Sequence, residues 1–426
     1  MARGMALLSC RALLPRLLGE SDPRVVAADA MVQAAVDRLL GMQSWRGGFG
    51  WWSGSGETPF VTAYVTEFLV AAKERGYAIP EHALGMALGR CAELLKESSD
   101  TGLRCLLVDV LTRVGRPVQP WLDWLLTAAT AVDDRHRLAT ALARLGNTER
   151  GARLLAGDAE ALPPRSADGD LVSPLRSQAL RLRALLAIDA ARPELAPLAR
   201  ALQRALAREA TTTHEQWQGL RALAEYYQLQ PVADAPPAAT LTHDGVAREL
   251  TLEQLALAVD PGDTLRFAAG GRGFAVVELQ GVQAVDCAPR HGGLRIERTL
   301  VDIATGATVT RCRRGRIYEV RLQVEAVGPV DHLALVDLLP GGLEPEPEAP
   351  GAAPAPDPIV RADREQRGDD RVLFFCRRTE AQFELRHRVR ATFPGVYDDP
   401  GVHAEAMYDP ASRSATGRCA PLVVEP

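Results

Sequence analysis

Gln43-Ser44-Trp45-Arg46-Gly47-Gly48-Phe49-Gly50-Trp51-Trp52 holds half of the chain's six tryptophans within eight residues and interleaves them with glycine. Such a stretch reads as a tight turn in which missing side chains let large rings pack on backbone. Gln43 is placed to hydrogen-bond a neighbouring helix. An aromatic pocket for an apolar ligand is the functional alternative, but no carboxylate cluster accompanies the rings. Gln43, Trp45, Gly47, Gly48, Phe49, Gly50 and Trp52 are therefore expected to form a structural turn between helices. Trp45, Phe49 and Trp52 should be buried, each costing about 3–5 kcal/mol on truncation to alanine.

Working outward from this turn, apolar residues recur at spacings of three and four as far as Gln230, the period of helices with one buried face. Ser21-Asp22-Pro23 opens a helix by cap chemistry, and its pattern runs to Leu40 before Gly41. Phe60 to Arg75 forms another, stopped by Gly76, and Pro80 sits in the first turn of the next. Further helices are expected near 101–114, 118–130, 132–145, 147–156, 174–190, 193–208 and 212–228. Short turns between some ten helices point to an all-α array of hairpins.

The period changes after Gln230, where Pro231-Val232-Ala233-Asp234-Ala235-Pro236-Pro237 reads as a linker. Beyond it, alternation of period two marks strands at Thr264–Phe267, Ala275–Leu279, Leu294–Val301, Ile317–Val324, His332–Leu338, Arg371–Cys376 and Ala381–Ala391. A last strand lies between Gly417 and Val424, with Pro421 confining it to an edge. Glu344 to Pro358 is so rich in proline that it reads as a surface loop. Strands without intervening helices argue for antiparallel sandwiches.

Composition sets bounds on function. The 426 residues carry a net charge of −5. To Gln230 there are 27 basic and 25 acidic residues (27 − 25 = +2), and beyond it 22 and 29 (22 − 29 = −7). Neither half offers the basic surface that phosphate neutralisation needs, so nucleic acid is not an expected partner. No apolar run is long enough for a membrane span. The seven scattered cysteines show neither CxxC pairing nor zinc spacing, so no metal and no cofactor is expected.

Leu7-Leu8-Ser9-Cys10 has the look of a lipid-attachment box, but Arg3 leaves only Met5 to Leu8 as its apolar stretch, too short for such a signal. Met5 to Leu18 instead reads as one helix burying Leu7, Leu8, Leu14 and Leu18. Asp133-Asp134 resembles an acid pair, yet neighbours on a helix diverge by about 100°, so cap and first-turn charges are the better account. Cys287 and His291 lack further ligands. Arg311-Cys312-Arg313-Arg314-Gly315-Arg316 reads as a charged sheet edge. No histidine has a serine or cysteine beside it in a nucleophile motif, and no GxSxG, P-loop or HExxH occurs. No catalytic residue is assigned.

These residues carry a family resemblance. Gln43 to Trp52, then Thr62-Ala63-Tyr64-Val65-Thr66-Glu67-Phe68-Leu69 and Gly76-Tyr77-Ala78-Ile79-Pro80, resemble the thioester domain of bacterial α2-macroglobulins. Leu294-Arg295-Ile296-Glu297-Arg298, Val336 to Glu344, Asp369-Asp370-Arg371, Pro394-Gly395-Val396-Tyr397 and Ala406-Met407-Tyr408-Asp409-Pro410 resemble the last macroglobulin domain of the same family. The resemblance implies a multidomain chain, an N-terminal α/α toroid followed by antiparallel β-sandwich domains: a thioester-type toroid over 1–230, a CUB-like β segment over 231–285, and a macroglobulin-type sandwich over 286–426. It also implies a periplasmic or cell-envelope protein whose partners are peptidases and the preceding macroglobulin domains. In that family bait cleavage triggers rearrangement, and an internal Cys–Gln thioester acylates the attacker.

This sequence departs from the family at the thioester. Aligning Cys10-Arg11-Ala12-Leu13-Leu14-Pro15 with the residues that follow the family motif puts Met5 at the cysteine and Leu8 at the glutamine. A thioether and an isobutyl group cannot form a thioester. Either the thioester has decayed or the start lies inside a longer gene; both imply a non-covalent inhibitor-family module. The alternative from another class is an α/α-toroid enzyme of terpene-cyclase type, since the Gln-Trp turn resembles the QW repeats there. That reading needs an acidic cluster in a cavity and leaves the β half without a place.

Overall fold

The computed structural model describes residues 2–18, 21–156, 162–166, 171–208, 211–230, 239–250, 258–260, 262–270, 288–347, 360–417 and 419–426. They form two compact units, one of the helices and the three strands after them, the other mainly of the remaining strands.

Twelve helices run α1 (Ala2–Cys10), α2 (Leu14–Leu18), α3 (Pro23–Leu40), α4 (Pro59–Glu74), α5 (Glu81–Glu97), α6 (Thr101–Arg113), α7 (Gln119–Ala128), α8 (Val132–Arg144), α9 (Thr148–Leu155), α10 (Pro174–Ile188), α11 (Leu195–Arg208) and α12 (Thr213–Gln228). Their starts follow local chemistry. Asp22 accepts from Arg24 N at 2.8 Å with Pro23 behind it, Asp100 accepts from Leu103 N at 3.1 Å, and Ser173 accepts from Arg176 N at 3.2 Å before Pro174. Pro80 caps α5 rather than entering its first turn.

Packing closes these helices into a ring. α1, α4, α6, α8, α10 and α12 each touch the next, and α12 returns to α1; α5, α7, α9 and α11 bridge successive members from outside, as α3 bridges α1 and α4. This is an α/α toroid. The inner helices are buried almost all round: in α4 every residue from Val61 to Ala72 is inaccessible, as a helix flanked on both sides and covered outside must be. The expected single helix over Met5–Leu18 is two short ones, broken at Arg11–Leu13 ahead of Pro15. Met5, Leu8 and Ser9 are buried there, while Leu7, Leu14 and Leu18 are only partly covered.

After the ring, β1 (Ala239–His243), β2 (Val246–Leu250) and β3 (Leu265–Ala269) form an antiparallel sheet in the order β2-β1-β3. The β1–β2 hairpin turns on Asp244 and Gly245, both with positive φ, the Asp-Gly turn that matches strand twist. The strand expected at Ala275–Leu279 lies outside the described residues.

The second unit comprises β4 (Arg290–Gly292), β5 (Leu294–Asp302), β6 (Arg311–Arg313), β7 (Ile317–Ala326), β8 (Val330–Leu338), β9 (Leu343–Glu346), β10 (Arg364–Arg367), β11 (Arg371–Thr379), β12 (Gln382–Ala391), β13 (Gly395–Asp399), β14 (Val402–Ala406), β15 (Asp409–Ala415) and β16 (Cys419–Glu425). Six strands in the order β10-β11-β8-β14-β15-β4 and four in the order β5-β7-β12-β9 supply a shared apolar core around Leu322, Leu335, Val372, Val389 and Val402. A third sheet, β13-β16-β6, completes it.

Two expectations about proline need correcting. Leu343–Glu346 is a strand, not loop: Pro345 is tolerated because β9 is an edge, paired only with β12. The rest of that proline-rich stretch, 348–359, lies outside the described residues. Conversely, β16 is the middle strand of its sheet despite Pro421, which falls where the β13 ladder skips from Leu422 to Cys419 and where β6 has no partner for it. The arginine-rich β6 is an edge as expected, but pairs parallel with β16, and Arg311 meets Glu425 at 2.9 Å.

Candidate functional site

The site positions drawn from sequence fall at two places on the helical ring. Met5 and Leu8 lie on α1, 1% and 2% exposed, among the residues that form the apolar core of the ring. Ser9 spends its hydroxyl on Met5 O at 2.9 Å, and a Cβ on Gly4 would come within 2.5 Å of Ala35 Cβ, so α1 is seated tightly on α3. Cys10 is a free, half-buried thiol whose pKa is raised by burial, the opposite of what activates a nucleophile.

The aromatic turn is rigid, but its rings divide differently from expectation. Phe49 is 1% exposed; Trp45 is 87% exposed, and Trp51 and Trp52 are 37% exposed. Phe49 alone enters the core. The glycines serve close backbone approach rather than indole packing: Gly47 has φ +91°, and a Cβ there would stand 2.5 Å from Met86 O. Gln43 Nε2 donates to Ala83 O at 2.9 Å and Gly47 O at 3.2 Å, tying the turn to α5. Ser44 donates to Glu57, whose other oxygen accepts from Arg90 at 2.9 Å. Phe49 N donates to Thr62 Oγ1 at 2.9 Å. Trp45 stands outside all of this with Arg46 over its ring at 6.0 Å.

The interior of the ring is charged, and the sequence reading missed it. Glu67 on α4 pairs with Arg221 on α12, Arg221 also meets Glu225 at 3.1 Å, and Glu225 takes Arg183 on α10 at 2.9 Å. Asp109 on α6 pairs with Arg144 on α8. Burial alone would raise the pKa of Glu67, but Arg221, Arg183 and Arg137 overcome it and hold the group at about 2. A polar residue on an otherwise apolar helix was the only sequence signal, as with Glu67 within Thr62–Leu69.

Asp133 and Asp134 sit in the first turn of α8 as expected, but buried rather than solvated. Asp133 accepts from Arg176 Nε at 2.7 Å and from Ser177. Asp134 is pushed up to about 6, chiefly by burial and further by Asp133 and Asp100, against Arg137 and Arg176. Glu67, Asp109 and Asp133 thus each face an arginine. A cleft of about 380 Å³ is lined by Arg11, Ala12, Asp29, Arg75, Gly76 and Tyr77, not by converging aspartates and aromatics. The cyclase alternative has no support here.

In the β unit a second buried network ties sheet to sheet. Asp337 on β8 accepts from Arg298 of β5 at 2.6 Å and lies 2.7 Å from His387 Nε2 of β12; Arg298 also meets Asp399 of β13. His291 Nδ1 lies 2.8 Å from Ser414 Oγ, while Cys287 is outside the described residues. Among the described residues, His243, Asp244 and Asp263 place ligand atoms within 4.8 Å of one another. They are engaged locally: His243 with Asp263 at 2.8 Å, Asp263 with Asp260 N at 2.8 Å, and Asp244 with Thr264 N at 3.1 Å.

A helical toroid joined to macroglobulin-type sandwich strands defines the class: the C-terminal portion of α2-macroglobulin-type proteins. The family description "Bacterial Alpha-2-macroglobulin MG10 domain" matches residues 293–411. Alpha-2-macroglobulin of Escherichia coli K12 is 28% identical over 95% of this chain, and that of Xylella fastidiosa Temecula1 is 28% identical over 92%. Native E. coli alpha-2-macroglobulin from domain MG7 to the C-terminus shares the fold, with TM-score 0.74 at 24% identity over 99% of this chain and 72% of that one. Salmonella alpha-2-macroglobulin reacted with methylamine gives 0.73 at 22% identity over 98% of this chain and 30% of that one. The chain is similar over nearly its whole length to the C-terminal part of bacterial α2-macroglobulins, and residues 293–411 match their MG10 domain. It spans 26% of the length of the E. coli and Xylella relatives.

Proposed function

We propose that this chain acts as the C-terminal module of a bacterial peptidase-trapping protein of the cell envelope, and that it acts without covalent chemistry. The observation that carries the reading is the ordered match over 95% of the chain to an alpha-2-macroglobulin, taken together with methionine and leucine at the two aligned thioester positions. Residues 1–230 serve on this reading as the thioester-type domain, 231–285 as a CUB-like return, and 286–426 as the last macroglobulin-type domain. The aromatic turn is a structural brace of the toroid. On this reading the chain is no enzyme: a side-chain catalyst needs an activated nucleophile or a placed acid and base, and the buried Glu67, Asp109 and Asp133 are committed to ion pairs.

Peptidases and preceding macroglobulin domains are the proposed partners, engaged through rigid-body movement and steric enclosure. The isolated 426-residue chain should neither cleave nor capture. Mixing it with several peptidases and separating the products under denaturing conditions should yield no high-mass conjugate. A conjugate that methylamine suppresses would mean a working thioester and overturn the reading.

A further inference from the structure

The middle of the helical ring carries polar atoms that the protein itself does not satisfy. His214 and Gln218 lie four residues apart on α12, so their side chains share a face. His214 is buried against the rings of Phe60, Tyr64 and Trp217, at centroid separations of 6.3, 5.1 and 6.0 Å. Among the described residues, neither of its ring nitrogens has a partner, and Gln218, wholly buried, has none for either amide atom. The same holds for Glu67 Oε2 and Arg221 Nη2, the outer atoms of the pair that links α4 to α12. Arg137 Nη1 on α8 stands 4.0 Å from Asp109 Oδ2, too far for a direct hydrogen bond.

We infer that this interior is a binding site for ordered water, held by His214 and Gln218 and extending to the Glu67–Arg221 pair. Buried polar side chains rarely go without a partner, and clustered exceptions are met by internal solvent. The chemistry of the orphaned atoms selects the ligand. Gln218 Nε2, Arg221 Nη2 and Arg137 Nη1 are donors, whereas Gln218 Oε1 and Glu67 Oε2 are acceptors. An anion would answer only the first set and a cation only the second. Water answers both, and each molecule needs two to four such partners. Burial, with Arg176 and Arg137 nearby, keeps His214 neutral, so its ring adds one donor and one acceptor. The inference rests on the ring alone and does not depend on peptidase trapping.

The test is a crystal structure of the full chain, grown with bromide, at a resolution that shows ordered solvent. Density refining as water within hydrogen-bond distance of both Gln218 and His214 is expected. An anomalous bromide peak there, or a Gln218 amide paired to a protein group with no solvent beside it, would overturn the inference. In solution, oxygen-17 relaxation dispersion reads the number of long-lived internal waters. Gln218→Leu should lose one or more of them, and Gln218→Met gives the same reading should the leucine variant not fold. An amplitude unchanged from the parent chain would count against the site.

Discussion

The Asp134 carboxyl pays for its burial with a pKa near 6, and the sign of that shift sets a pH dependence. Its folded value lies above the ordinary 3.8, so the native state holds its proton more tightly than the unfolded chain. The resulting stability is complete below about pH 3.8 and is lost as pH rises through 6. The two-unit shift corresponds to about 2–3 kcal/mol. Asp134→Asn should therefore stabilise the protein at pH 7.5 and make little difference below the ordinary carboxyl value of 3.8; melting temperatures of both forms across that range are the check, and equal offsets at both ends would contradict it. The aromatic turn yields a second contrast at this scale. Phe49→Ala empties a core position and should cost about 3–5 kcal/mol, whereas Trp45→Ala, outside every packed contact but that with Arg46, should stay within about 0.5 kcal/mol. Urea unfolding of the two variants separates them. The density of tryptophan and glycine marked this turn, but the four aromatic residues at one glycine cluster look alike in sequence. Only the path of the backbone against Met86 decides which ring goes in.

At the scale of elements, the ring and the sandwich solve the burial of charge in the same way. Helices whose flanks and outer faces are covered cannot solvate a carboxylate, so Glu67, Asp109 and Asp133 each recruit arginine from another helix. In the sandwich, Asp337 on one sheet is answered by His387 and Arg298 on the other. Removing one member strands the rest. Asp337→Ala should cost about 3–5 kcal/mol, seen as a lowered denaturation midpoint with unchanged far-ultraviolet dichroism below it; a loss under 1 kcal/mol would show that the network is incidental. Helix positions were legible because the 3.6 period and the cap at Asp22 are local. The Asp244-Gly245 hairpin carried an equally local signal that the reading passed over. The short β4, β10 and β13 carried too few alternating residues to stand out, and they owe their existence to neighbours already in the sheet.

For the whole molecule, the two positions proposed to correspond to the family's thioester pair are structural ones. Met5 and Leu8 are core residues of the helix that closes the ring between α12 and α4. Restoring the side chains alone should not restore the chemistry. In Met5→Cys combined with Leu8→Gln, the carboxamide enters an apolar core without an assured partner, at about 1–3 kcal/mol. The thiol is likewise shut away from any attacking amine. The double variant should melt lower and take up no methylamine. Uptake of one methylamine per chain, followed by mass spectrometry, would show instead that only the two side chains were missing.

The order of most elements and the change from helix to strand near Gln230 were determined by sequence alone, since each depends on residue type or on spacing along the chain. Closure of the ring, the partners of its buried charges, the exposure of Trp45 and the edge or central place of each proline-bearing strand were decided by tertiary structure. Each of these depends on contacts between residues far apart in sequence: Glu67 meets Arg221 across 154 positions, and Asp337 meets His387 across 50. Local propensity carries no record of such pairs. They are chosen when packing removes water and leaves every buried charge to find its opposite.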